Sequence, residues 1–224
     1  MRRFLRENSL SLAFGALFLA SLAGQAIAGW HQLNDELFAD GLHQLTLGAY
    51  LTSASFAVDV TENWQSEYLQ FLLYVMLTVW LVQRGSPESK PLEDAGQESD
   101  EVQRVGEYAR PDSPKLARAG GLRTLFYSRS LGIVMGTIFL LSWLVQSVAG
   151  WATYNETRLQ QLRDPITWVS YLAHSDFWAR TLQNWQSEFL AVGSMAVLSI
   201  YLRQRGSPES KPVGASHDTT GIEG

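Results

Sequence analysis

The sequence predicts an all-α membrane protein: four transmembrane helices forming two tandem αα-hairpin repeats, related by a parallel pseudo-two-fold axis. Three observations lead there. First, the stretch Asn63-Trp64-Gln65-Ser66-Glu67-Tyr68-Leu69 returns as Asn184-Trp185-Gln186-Ser187-Glu188-Phe189-Leu190, and the nine residues Gln83 to Pro91 return unchanged as Gln204 to Pro212. The same offset of 121, from position 63 to position 184, relates Gln25 to Gln146, Gly29-Trp30 to Gly150-Trp151, Asn34 to Asn155, Tyr50-Leu51 to Tyr171-Leu172 and Phe56 to Phe177. A fixed offset with preserved ends and a drifted apolar middle is the mark of a tandem duplication. Second, each copy holds two apolar segments from which charge is nearly excluded. Third, Lys and Arg crowd the chain start, the mid-chain linker and the two Arg-Gly-Ser-Pro-Glu-Ser-Lys ends.

Composition agrees with that reading. Charged residues make up 17% of the 224, against about 25% in an ordinary soluble domain. The mean hydropathy of −0.05 averages the apolar segments with a very polar linker and tail. The net charge of −5 is likewise a sum over compartments. With no cysteine, disulfides, thiolate zinc sites and cysteine nucleophiles are excluded. No basic stretch interleaved with aromatics suggests nucleic acid as a partner.

The first repeat is expected over residues 1–91. A basic start precedes Asn8 and Ser9, either of which can cap the following helix. Leu10 to Trp30 carries no charge, enough to cross a bilayer core of roughly 30 Å. A basic start and Ala26-Ile27-Ala28 before Gly29 mimic a cleavable signal peptide. The related stretch at Gln146 to Trp151 stands in mid-chain, so an uncleaved helix is the better reading. His31 to Glu62 lacks Lys and Arg, and its part from Leu45 to Phe56 suits a membrane surface. From Ser53, Phe56, Val60, Trp64, Glu67, Phe71, Tyr74 and Thr78 recur at threes and fours, predicting one helix of about thirty residues that leaves the bilayer near Arg84. Gly85 and Pro87 are the expected stop, glycine as a left-handed C-terminal cap.

A polar linker, expected to be disordered, fills 92–123. The second repeat follows over 124–212, with apolar segments at Leu131 to Trp151 and Trp185 to Leu202, and a polar tail occupies 213–224. The fourth segment is the shortest in strictly apolar residues; its relation to the second segment makes it a span. The positive-inside rule places both termini and the linker in the cytoplasm and both loops outside.

These residues resemble a bacterial integral-membrane family catalogued as a domain of unknown function. The features are Arg3-Phe4-Leu5-Arg6-Glu7-Asn8, Gly150-Trp151 with Tyr154-Asn155-Glu156, Tyr50-Leu51-Thr52-Ser53, and the two repeated motifs. The first copy departs at Leu33, where the second has Tyr154. The resemblance implies paired membrane spans in the inner membrane and carries no activity with it.

The candidate polar cluster is Glu67, Glu188, Gln25, Gln146, Asn63 and Asn184. A charge at mid-bilayer costs at least about 2.5–3.5 kcal/mol, so such carboxylates commonly face the bundle interior. Near the outer boundary the cost falls, and the plainer reading is an interfacial carboxylate beside a belt tryptophan. The asparagines sit one turn earlier and suit helix–helix hydrogen bonding. Trp30, Trp64, Trp151, Trp185, Arg84 and Arg205 are expected as interface anchors, with Trp64 and Trp185 toward lipid and the two glutamates inward. His31, His43 and His174 lack metal-site spacing and read as surface residues, so no metal or cofactor is expected. Helix stop and anchor explain Arg, Gly, Pro and Lys in the repeated ends, but not their Glu and two Ser.

With no phosphate loop and no nucleophile and base at suggestive spacing, an enzyme is not expected. The expected role is that of a non-enzymatic membrane protein acting through helix or lipid partners, with the bilayer, itself or other membrane proteins as candidates. The alternative is a small channel or transporter built on Glu67 and Glu188.

Overall fold

The computed structural model describes residues 2–222, among which there are eight α-helices and no strand. In order they are α1 (Arg2–Glu7), α2 (Ser9–Ala39), α3 (Leu47–Leu51), α4 (Ala54–Leu77), α5 (Gly121–Ser128), α6 (Ser130–Gln160), α7 (Trp168–Leu172) and α8 (Ser175–Tyr201). Among these, α2 and α6 are both long and apolar enough to cross a membrane. Each has 31 residues, about 46 Å of helix, and therefore continues past its apolar stretch into polar sequence. Asn8 stands at the break before α2, yet its amide turns back to the Phe4 carbonyl (2.9 Å), so neither it nor Ser9 caps α2 as expected.

Backbone contacts divide the chain into two compact units, residues 1–60 with 145–168 and residues 61–144 with 169–224. In the first unit the polar ends of α2 and α6 each clip down the loop that follows. Trp30 Nε1 and Asn34 Nδ2 both donate to the Leu45 carbonyl (2.7 and 2.9 Å), and the Leu45 amide donates to Asn34 Oδ1 (2.7 Å). Trp151 Nε1 and Asn155 Nδ2 both donate to the Ile166 carbonyl (2.7 and 3.0 Å), and the Ile166 amide donates to Asn155 Oδ1 (2.9 Å). One asparagine thus satisfies both backbone groups of a loop residue that could not reach a helix ladder. Tyr50 is then seated against α2, almost fully buried, where a Cβ on Gly29 would lie 2.1 Å from its hydroxyl. Burial, and then the charge of Asp59, pushes the Tyr50 hydroxyl above its ordinary range.

In the second unit α4 does not run on to Arg84. It ends at Leu77, and the reason is a rerouting of backbone bonds. A continuing helix would give the Gln83 amide to the Val79 carbonyl. Instead Gln83 N donates to Ser89 Oγ (2.8 Å), and the Val79 carbonyl accepts from Gly96 N (2.7 Å). The end of α8 follows the same logic. Gln204 N donates to Ser210 Oγ (2.9 Å), and the Ile200 carbonyl is taken by Arg203 Nη1 (3.0 Å) and the His217 ring (2.9 Å). Gly85 and Gly206 adopt φ +85° and +81°, the left-handed region that favours glycine. They turn the chain several residues beyond the helix ends, rather than capping the helices. The second serine of each repeated end therefore has a structural role that a helix stop alone did not supply.

Two other positions 121 apart start the paired helices. Ser53 Oγ accepts from Phe56 N at the head of α4 (3.2 Å), and His174 Nδ1 accepts from Asp176 N at the head of α8 (3.1 Å).

Candidate functional site

The residues that the sequence marks for chemistry meet, within the second unit, along a seam between α4 and α8. Its rungs descend in order. Arg180 Nη1 pairs with Glu62 Oε2 (3.4 Å), and its Nε with Asp176 Oδ2 (3.5 Å). Trp185 Nε1 donates to Gln65 Oε1 (2.7 Å), while Gln65 Nε2 donates to the Glu62 carbonyl (3.0 Å). Ser66 Oγ approaches Glu188 Oε1 at 3.4 Å. Beside the seam, Trp143 of α6 stacks on Phe177 (6.1 Å between ring centres) and lies 5.7 Å from Trp185.

The seam uses the two copies of the heptapeptide differently. At about 100° per residue, Asn, Trp and Glu fall on one half of the helix and Gln and Ser on the other. In α4 the Gln65 and Ser66 half is buried, and Asn63, Trp64 and Glu67 are exposed. In α8 Asn184, Trp185 and Glu188 are half-buried, and Gln186 and Ser187 are exposed. The Gln/Ser face of one copy thus meets the Trp/Glu face of the other. A two-fold axis through the seam would bring the same face of each helix together, so the expected two-fold relation does not hold between the heptapeptides.

Several expectations are corrected here. Glu67 does not turn inward; Gln65 and Ser66 occupy that position. Trp185 does not face lipid, since its indole N–H is spent on Gln65. Asn184 Nδ2 donates to the Arg180 carbonyl within its own helix (3.1 Å), and the Asn63 carbonyl accepts from Ser66 Oγ (2.9 Å). Gln25 and Gln146 belong to the first unit; Gln146 is almost fully buried, with neither side-chain polar atom hydrogen-bonded in the structure. Trp30 and Trp151, expected as interface anchors, spend their indole N–H groups on the loop clips. Arg84 pairs with Asp218 (3.0 Å) at a highly exposed position, and Arg205 is exposed.

Sequence reasoning missed Lys211, the most enclosed charge in the chain. Its Nζ donates to the carbonyls of Gly85 (2.6 Å), Ser216 (3.1 Å), His217 (3.0 Å) and Thr219 (3.2 Å), and its side chain is almost fully buried. Burial first, and Arg203 second, push it below the ordinary lysine range, with Asp218 opposing. The tail is also tied to the first repeated end by Gly85 N to Thr220 Oγ1 (2.9 Å) and Gly221 N to the Ser86 carbonyl (3.1 Å). Lys90, its counterpart, donates to the Gly96 carbonyl (3.2 Å) and pairs with Glu98 (2.9 Å) while partly exposed. In both copies the lysine folds onto the chain that follows it. The signal was the lysine's place in two identical nine-residue ends.

What the seam can do chemically is limited by its partners. Its polar groups are an ion pair, an amide, an indole, a hydroxyl and carboxylates, which suit packing and cation or proton contact better than bond cleavage. No curated protein and no solved structure matches the chain. A family model, described as "Domain of unknown function (DUF6766)", matches residues 1–222. With the match spanning both copies of the repeat and the linker between them, the chain belongs to that family of unknown function.

Proposed function

We propose that the chain is a non-enzymatic integral membrane protein of the cell (inner) membrane that acts through helix or lipid partners. In this reading α2, α4, α6 and α8 cross the bilayer as two tandem αα-hairpins, with both termini and the linker cytoplasmic. The hairpins share one orientation about a parallel pseudo-two-fold axis, from which the α4–α8 seam departs. The observation that carries the reading is the apolar surface left uncovered on the long helices. Leu10, Phe14 and Leu17 of α2, Leu140 and Leu141 of α6, and Leu190 of α8 are each more than half exposed. Soluble monomers rarely present contiguous apolar patches beyond a few hundred Å², whereas lipid chains wet such surfaces. The 24 residues of α4 and 27 of α8 give about 36 and 40 Å of helix, enough for a core of roughly 30 Å.

A second reading, a small channel or transporter, draws on the approach of Ser66 to Glu188. That contact sets carboxylates from both copies beside one seam, with Glu67 within electrostatic range of Glu188. The exposure of Glu67 favours the first reading. The test has two arms. Membranes carrying the protein are washed with alkaline carbonate, and purified protein is reconstituted into liposomes for proton and cation flux. The first reading expects the chain to stay with the membrane pellet and wild-type liposomes to show no flux above empty ones. Release into the carbonate wash would overturn the membrane reading. Flux in the wild type that is lost in the Glu67→Gln/Glu188→Gln double variant would replace it with transport.

A further inference from the structure

The seam consumes only half of what the two heptapeptides offer. The Asn63/Trp64/Glu67 face of α4 and the Gln186/Ser187 face of α8 are both exposed. These are the same residue types that already meet inside the chain, where Gln65 accepts from Trp185 and Ser66 approaches Glu188. We propose that this second pair of faces joins one copy of the chain to another, with α8 of one molecule seated on α4 of the next. Gln186 of one chain then stands against Trp64 of its neighbour, and Ser187 against Glu67.

Three features point to a second copy as the occupant. The chemistry is self-complementary, since the exposed donors and acceptors reproduce a contact that this sequence makes at 2.7 Å. The contact is heterologous, pairing different faces, so making it once inside the chain leaves one face of each kind outside. A two-fold contact would have consumed like faces and left none to propagate. Finally, α4 and α8 run in the same direction in the proposed topology, so a helix from a neighbour in the same bilayer arrives at the correct depth and polarity. Heterologous contacts close into rings when the rotation permits, and confinement to a membrane plane favours closure. The polar contribution is modest, since interhelical hydrogen bonds within membranes average about 0.6 kcal/mol. They set the register of an association whose area comes from the apolar surface around them.

This inference rests on the membrane reading, which the carbonate extraction tests separately. The chain has no cysteine, so introduced thiols report without background. Full-length Glu67→Cys and Ser187→Cys chains, differently tagged, are co-reconstituted in liposomes and oxidised with copper phenanthroline. The expected product is a heterotypic disulfide dimer, at least tenfold above that from either variant alone. Homotypic Glu67→Cys dimers at equal yield would establish a two-fold contact and overturn the proposal. Energy transfer between differently labelled wild-type chains in the same liposomes gives a readout free of substitutions at the contact. Signal at the level of a non-interacting membrane protein, whatever the disulfide yield, would equally overturn it. A Ser187→Trp chain, which blocks the α8 face, should lose most of the transfer while keeping its own seam.

Discussion

The loop clips and the seam heptapeptides are both near-copies across the chain, and they behave in opposite ways. Trp30 with Asn34, and Trp151 with Asn155, make the same three bonds to Leu45 and Ile166 within 0.2 Å of each other. The heptapeptides, equally alike in sequence, bury opposite faces. The difference lies in where the partner is. Each clip closes on a backbone group 11 or 15 residues along its own copy, so identical residues find identical partners. Each heptapeptide must find its partner in the other copy, and two copies cannot both be the donor to the other. Duplication fixes local structure; contacts between the copies are free to break the symmetry.

The repeated nine-residue ends show both behaviours at once. Ser89 and Ser210 close the same local loop on Gln83 and Gln204. The lysine one residue further reaches out of the motif, and there the copies diverge, Lys90 to the linker and Lys211 to the tail and the first copy.

If locality is the rule, paired substitutions at the clips should cost the same in both copies, and this is the largest effect expected. Asn34→Ala and Asn155→Ala each remove two bonds and strand the backbone of one loop residue, costing about 2–3 kcal/mol. Thermal unfolding in mild detergent should show equal drops in midpoint. A drop in only one variant would break the comparison at its firmest point.

The lysines sharpen it from the other side. Lys211→Met deprives four carbonyls of one buried ammonium and should cost about 1.5–3 kcal/mol, the range for hydrogen bonds to charged groups. Lys90→Met removes a partly exposed pair and should cost about 0.2–1 kcal/mol. The sharper readout is proteolysis at the tail. Lys211→Met should expose residues beyond Pro212 to cutting, and Lys90→Met should leave them protected.

Locality also explains what the sequence made legible. The helical class, the long apolar segments α2 and α6, and the matched positions of Trp30/Trp151 and Asn34/Asn155 follow from periodicity and offset alone. The end of α4 did not, because Gly85 and Pro87 are strong stop signals. The earlier break depends on a serine hydroxyl and on Gly96, 17 positions beyond Val79, competing for helix groups. Choosing Glu67 over Gln65 as the inward residue relied on the cost of charge in lipid. That cost is small near the membrane boundary, where packing decides which face turns in. Lys211 was hidden because its partners lie in a tail with no sequence pattern of its own.

The smallest expected effect tests the seam itself. Gln65 is fully buried, accepts from Trp185 and donates to the Glu62 carbonyl, whereas Gln186 is exposed. Gln65→Leu keeps most of the side-chain volume but strands the Trp185 N–H, so its cost should be that of one interhelical bond within a membrane, about 0.6–1.7 kcal/mol. Gln186→Leu removes no bond within the chain and should change stability by less than about 0.5 kcal/mol. Indole fluorescence adds a readout that simple loss of packing does not predict. Trp185 loses its acceptor only in Gln65→Leu, so the shift in emission should vanish when Trp185→Phe is added. The two substitutions should also be non-additive in stability, because each removes the same bond. Equal costs for Gln65→Leu and Gln186→Leu would mean that both heptapeptides bury the same face, and the seam would have to be redrawn as a two-fold contact.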